Sequence, residues 1–228
     1  MGSFTAAALL EGLLFYLCFI PLLTFHEFAH AWTASKCGDD TAKDLGRVSL
    51  NPIVHMEVIG TVVLPWLGIL LSIGGSGLAS FIVGWGKPVP VDLSNLRNPR
   101  RDDSLIAAAG PAMNILLAVL CMGIVRIGLM MKSYGLHDSG EIIMMLGAKL
   151  VFVNLLLAFF NLLPIPPLDG SHIVWNALRL SYELYIRIVH SGMSLILVIA
   201  AINIPGVREF LGEAIRTTTL LLARMYGI

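Results

Sequence analysis

The sequence predicts an all-α polytopic membrane protein, a bundle of about five to six transmembrane helices interrupted by one proline-broken helix. Three observations carry that reading. Of the 228 residues 57% are hydrophobic and only 13% charged, against roughly 45–50% and about 25% in ordinary soluble domains, and mean hydropathy is +0.82. The apolar residues fall in long runs separated by short polar connections, with no internal repeat. Near position 165 the stretch NLLPIPPLDG (161–170) carries Pro164, Pro166 and Pro167, which no continuous helix accommodates. The formal net charge is zero, so there is no basic field of the kind that attracts nucleic acid.

Taken in order, the first run covers about 6–35. At 1.5 Å per residue a helix of about 29 residues reaches about 44 Å, enough to cross a ~30 Å hydrocarbon core. Pro21 lies inside it and frees the carbonyl of Leu17, which predicts a kink. The N-terminus lacks a basic leader and carries Glu11 early, so it does not read as a cleavable signal. A polar connection, Ser35 to His55, leads to a second run from about Met56 through VIGTVVLPWLGILLSI. After GGSG (74–77) the stretch LASFIVGWGKPVPVDL mixes Val, Phe, Ile and Trp with Gly84, Gly86, Pro88 and Pro90, and reads as extended rather than helical. Residues 94–103 read as a charged loop with Arg97, Arg100 and Arg101. The third run, Leu105 to Met131, and the fourth, Ile142 to Leu163, flank the connection KSYGLHDSGE. Ser171 to Arg187 reads as one amphipathic helix, and Ile188 to Ile204 as a fifth apolar run. Residues 1–204 thus form a single transmembrane domain, and 205–228, alternating Arg and Glu with Leu, Ile and Ala, form an amphipathic tail suited to a membrane surface. Cys18, Cys37 and Cys121 stand in no ligand spacing and read as small apolar residues.

The chemistry lies in His26-Glu27-Phe28-Ala29-His30. Positions i and i+4 of a helix differ by about 40° in direction, so both imidazoles face the same way, one turn apart. That is the spacing two ligands of one Zn²⁺ require, with Glu27 offset and able to act as general base. The bare pattern also occurs at solvated helix ends. Inside an apolar span, however, a His-Glu-His cluster is costly, and such residues default to functional roles. A catalytic zinc site needs three protein ligands and an open position. Asp169, a carboxylate in the proline-broken apolar stretch, is the best third ligand, with helix N-cap as its alternative role. One zinc per chain is expected.

HEFAH on an early membrane helix, GPAMN in the third run and NLLPIPPLDG further on together resemble the site-2 protease family of intramembrane zinc metalloproteases. GRVSLNPIVHMEVIGTVVLPWL and GWGKPVPV resemble its compact prokaryotic-type members. The resemblance covers about residues 22 to 175. It implies that His26, His30 and Asp169 bind zinc, that Glu27 is the catalytic base, and that Asn161 positions substrate or steadies the oxyanion. Gly110, Pro111 and Asn114 match a motif read as structural. The resemblance further implies that about 77–91 form a re-entrant β-hairpin whose edge receives an unwound substrate. A parity argument agrees, since the second run adds a crossing that must be undone before the third. The implied activity is hydrolysis of peptide bonds in membrane-spanning proteins, with a single-pass transmembrane substrate and the lipid bilayer as partners. The implied location is an integral multi-pass one, in the cell membrane if prokaryotic, with the Ser35–His55 side at the cytoplasm. The competing classes are an inactive scaffold of the same fold and a membrane zinc transporter. His55 and His190 read as interfacial residues, His137 as a loop residue, His172 as a gate or supporting group, and Lys149 as a snorkelling or cavity-facing charge.

Overall fold

Hydrophobic continuity rather than amphipathy defines the first helix. In the computed structural model, which describes residues 2–73 and 84–228, α1 (Gly2–Cys37) runs without interruption through Pro21. Its buried positions recur at helical spacing: Phe19, Leu22 and Leu23, then His26 and Glu27, then His30 and Ala31, then Ala34. The polar triad therefore lies on the stripe that faces protein. Trp32, 49% exposed, lies on the other side, with Lys36 Nζ 5.5 Å from its ring centroid.

The chain divides into two units, Met1–Arg97 and Asn98–Ile228. In the first, α1 is followed by the short α2 (Thr41–Asp44) and a 3₁₀ turn, Pro52–His55. The second apolar run does not begin as an α-helix. Val58–Val63 is π-helical, with the Glu57 carboxylate accepting Gly60 N–H at 2.6 Å, and only then does α3 (Leu64–Ile73) continue. It packs on α1 through Trp66 against Tyr16, ring centroids 5.8 Å apart.

Residues 84–91 have no regular structure but lie alongside this irregular entry. Trp85 N–H donates to Gly60 O at 3.1 Å and Lys87 N–H to His55 O at 2.8 Å, while Thr61 Oγ1 donates to Trp85 O at 2.8 Å. No strand occurs among the described residues. The 77–83 part of the expected hairpin lies outside them.

In the second unit α4 (Pro99–Ser133) and α5 (His137–Asn161) form an antiparallel pair. Gly128 and Gly140 bring the backbones close: a Cβ on Gly128 would lie 2.5 Å from Met144 N. Lys132 pairs with Glu141 near the connecting turn. Deep in the pair, Asn114 Nδ2 donates to Asn154 Oδ1 at 3.0 Å, both side chains fully buried. Asn114 thus bonds across helices, as its motif suggests.

The expected charged loop before the third run is shorter than the sequence reading. α4 starts at Pro99, in the favoured first helical position, and the Asp102 carboxylate accepts Asn98 N–H at 2.7 Å. That bond from the first turn back to the N-cap amide, made without a return bond from the Asn98 side chain, carries RRDD into the helix.

The expected single helix over 171–187 is two: α6 (Asp169–Ala177) and α7 (Tyr182–His190). Arg179 sits at φ 54° between them. The turn is closed by Leu180 N–H to Trp175 O at 3.1 Å and by Trp175 Nε1 to Ser181 O at 2.9 Å. Ser191 and Gly192 (φ 72°) then separate α7 from α8 (Met193–Ile202).

The last helix, α9 (Pro205–Met225), presents one face to the unit's interior. Leu222 joins Ala118, Cys121, Met122, Val151 and Leu155 in one core, and Leu211 joins Leu163, Leu168 and Val198 in another. Tyr226 donates to Val119 O at 2.9 Å.

By length and composition, three helical stretches among the described residues are able to cross a membrane: Ala6–Cys37, Pro99–Ser133 and His137–Asn161. Val58–Leu71 is apolar but shorter. The ten residues of α8 reach about 15 Å, half of a ~30 Å core.

Candidate metal and catalytic centre

The i, i+4 spacing on α1 delivers the geometry expected of it. His26 and His30 are 3% and 7% exposed, their Nε2 atoms lie 3.0 Å apart, and the rings meet edge to face with centroids 4.6 Å apart. Two nitrogens each about 2.0–2.1 Å from one tetrahedral zinc lie roughly 3.3 Å apart, so the pair fits a shared ion. Glu27, also buried, lies beside Gly86. A Cβ on Gly86 would lie 3.0 Å from Glu27 Oε1 and 3.3 Å from Leu23. A side chain there would press on both, so the Glu27 carboxylate or Leu23 would have to shift by a few tenths of an ångström.

Two residues that sequence reasoning left out, or left bland, hold the chain that follows Gly86. Arg47, 4% exposed, donates through Nη2 to Lys87 O at 2.5 Å and through Nη1 to Pro88 O at 3.3 Å. Burial draws its pKa down, and the negative Glu27 carboxylate pulls it back up. His55 is 1% exposed and donates Nε2–H to Ser49 O at 2.7 Å. Burial lowers its pKa, the Ser49 bond opposes, and the Arg47 charge lowers it further, so it is a neutral imidazole at pH 7. It is a buried post rather than an interfacial residue.

Asp39 is a further missed residue, fully buried just beyond α1. Its carboxylate accepts from Thr41 N and Oγ1 at 3.1 and 2.5 Å, Asn95 Nδ2 at 3.0 Å and Asp92 N at 2.8 Å. Burial raises its pKa, but these four donors together outweigh burial and leave it below the usual carboxylate range. No spacing rule could have found it, because its partners lie both 2 and 53–56 residues away.

The other two candidate residues lie in the second unit, on either side of the proline turn. Asn161 ends α5, and its Nδ2 donates to Leu157 O at 2.9 Å. Asp169 opens α6. The N-cap is Leu168, not Asp169, which sits in the first turn, where a carboxylate suits the helix dipole. The next three residues are each gripped by a different element. A Cβ on Gly170 would collide with the Leu162 carbonyl. Ser171 Oγ donates to Leu168 O at 2.6 Å and lies 3.0 Å from the Tyr185 hydroxyl. His172 Nδ1 lies 3.1 Å from Asp103 Oδ2.

A helical membrane chain with this motif set matches one family. Residues 14–139 and 127–200 match the description "Peptidase family M50", and the chain belongs to that family, the site-2 protease family. The protein "Putative zinc metalloprotease YwhC" of Bacillus subtilis is 37% identical over 158 residues, 68% of this chain and 64% of that protein. Proteins with the name "Putative zinc metalloprotease Rip2" are 33% identical in Mycolicibacterium smegmatis and 34% in Mycobacterium tuberculosis. Each match runs over 149 residues, 65% of this chain and 51% of theirs. The chain therefore spans between about half and somewhat under two thirds of the length of these relatives. No solved structure matches it.

Proposed function

We propose that the protein is an intramembrane zinc metalloendopeptidase that hydrolyses peptide bonds of single-pass membrane proteins. The observation that carries the reading is the buried pair of imidazole nitrogens 3.0 Å apart on α1, with the Glu27 carboxylate between them in sequence. Family membership and the zinc metalloproteases named among its relatives support it.

In this reading His26, His30 and Asp169 hold one zinc ion. When bound, it would polarise the scissile carbonyl and lower the pKa of a water ligand to about 7. Glu27 takes the proton of the attacking water and hands it to the leaving amine nitrogen. Asn161 keeps a second amide N–H beyond the one given to Leu157 O, and donates it to the developing oxyanion.

Residues 84–88 present substrate-facing backbone beside Glu27. Trp85 and Lys87 turn their amide and carbonyl groups toward Gly60, Thr61, His55 and Arg47. In an extended chain the alternate residues Gly84 and Gly86 face the other edge, where an unwound substrate adds as a strand. We read about 77–91 as the re-entrant hairpin, and the second run, from about Met56, and the fifth, Ile188 to Ile204, as the further crossings that bring the bundle to five or six. One catalytic domain, 1–204, is followed by the tail 205–228.

Trp32 and Lys36 mark a membrane interface, which sets His26 roughly 9 Å below it. By family resemblance that side is cytoplasmic, in the cell membrane if the chain is prokaryotic.

The test is cleavage of a single-pass transmembrane substrate by the full chain in proteoliposomes. Wild type should cut it, Glu27→Gln should not, and Leu in place of Gly, Pro or Asn near the cut should slow the reaction. Equal cleavage by Glu27→Gln would sink the assignment.

A further inference from the structure

We infer that Asp103 is a positioning residue for Asp169: it fixes the rotation of α6 against α4 and so sets where the first carboxylate of α6 points. The inference rests on the reading of Asp169 as the third zinc ligand.

Asp103 lies in the second turn of α4, its side chain 9% exposed. A single oxygen, Oδ2, accepts from two donors on α6, His172 Nδ1 at 3.1 Å and Asn176 Nδ2 at 2.6 Å. These donors are four residues apart and so mark one line along the helix. Holding both from α4 blocks rotation about the α6 axis. The nine residues of α6 are too few to be stable alone, and its direction must come from such contacts.

The grip is concentrated where it matters. Gly170 against Leu162, Ser171 against Tyr185, and His172 against Asp103 follow directly after Asp169. A roll of roughly 20° would carry a carboxylate about 5 Å from the helix axis by about 2 Å. Zinc–ligand distances tolerate only about ±0.2 Å. This assigns a role to His172, whose imidazole is a strut between the helices, and to a charged residue at the α4 start that sequence alone reads as loop.

The experiment measures zinc affinity of the full-length protein in detergent by chelator competition, with monodispersity and helicity as folding checks. Asp103→Ala should raise the zinc Kd on the order of tenfold or more. Asp103→Asn, whose amide oxygen can accept both bonds, should restore most of the affinity. The double variant Asp103→Ala/Asp169→Ala should bind zinc no more weakly than Asp169→Ala alone, because the effect passes through Asp169.

Wild-type affinity in a folded Asp103→Ala, with affinity lost in Asp169→Ala, would overturn the positioning role and leave the ligand reading standing. Wild-type affinity in Asp169→Ala would overturn the ligand reading itself. Equal weakening by Asp103→Ala in both backgrounds would make it a general structural residue and also overturn the inference. If Asp103→Ala does not fold, Asn176→Ala and His172→Phe each remove one of the two bonds. They carry the same comparison, with an expected increase of about threefold.

Discussion

The two halves of the proposed zinc site are built by opposite means. The histidine half rides on one uninterrupted helix, α1, and the periodicity of that helix alone sets His26 and His30 side by side. The aspartate half opens a nine-residue helix after a proline turn. There each position following Asp169 is set by a tertiary contact, with Leu162, Tyr185 or Asp103. A long helix carries its geometry in its sequence, whereas a short one borrows it from its neighbours. The histidine pair should therefore tolerate changes around it that the aspartate half does not.

The largest effect expected is catalytic. Glu27→Gln should retain zinc yet lose about 10²–10⁴ in turnover, measured as kcat against metal content on the same preparation. A variant that lost zinc together with activity would make Glu27 part of the metal's support and blur the division between the halves.

Next comes stability around the end of α1. Asp39→Ala leaves four donors around a fully buried position and should cost about 3 kcal/mol in unfolding free energy. Asp39→Asn should cost less. Gly170→Ala should cost about 2 kcal/mol, because the added methyl meets backbone that cannot rotate away, and should weaken zinc binding as well. Replacing Ala29 on α1 by Gly should leave zinc affinity near wild type, since the helix period persists. Similar zinc losses in the two would erase the contrast between the halves.

The smallest effect is a pH dependence. The His55 pKa is lowered in the folded state, so the unfolded chain binds the proton first as pH falls. The contribution is complete above about 6.5 and is lost below it, at up to about 1.4 kcal/mol per pH unit. Asp39, also lowered, adds its loss only below about pH 4. Melting of wild type and His55→Gln between pH 8 and 5 separates the two. An equal slope in both proteins would remove His55 as the cause.

What the sequence made legible follows the same division. The apolar runs behind α1, α4 and α5, the HExxH pair and the proline break are local signals and read directly. The start of α4 did not, because RRDD resembles a loop until Asp102 is seen capping Asn98. The split between α6 and α7 gave no warning either, since Arg179, rather than glycine, takes the left-handed turn. Asp39, Arg47 and Asp103 act on partners 40 to 73 residues away, beyond any spacing rule.

The most direct test of the account is zinc content per chain of detergent-purified protein, wild type beside His26→Ala and Asp169→Ala. The account predicts one zinc in wild type, lost or much weakened in both variants. A well-folded wild type without zinc, or an Asp169→Ala protein that holds it as tightly, would contradict it.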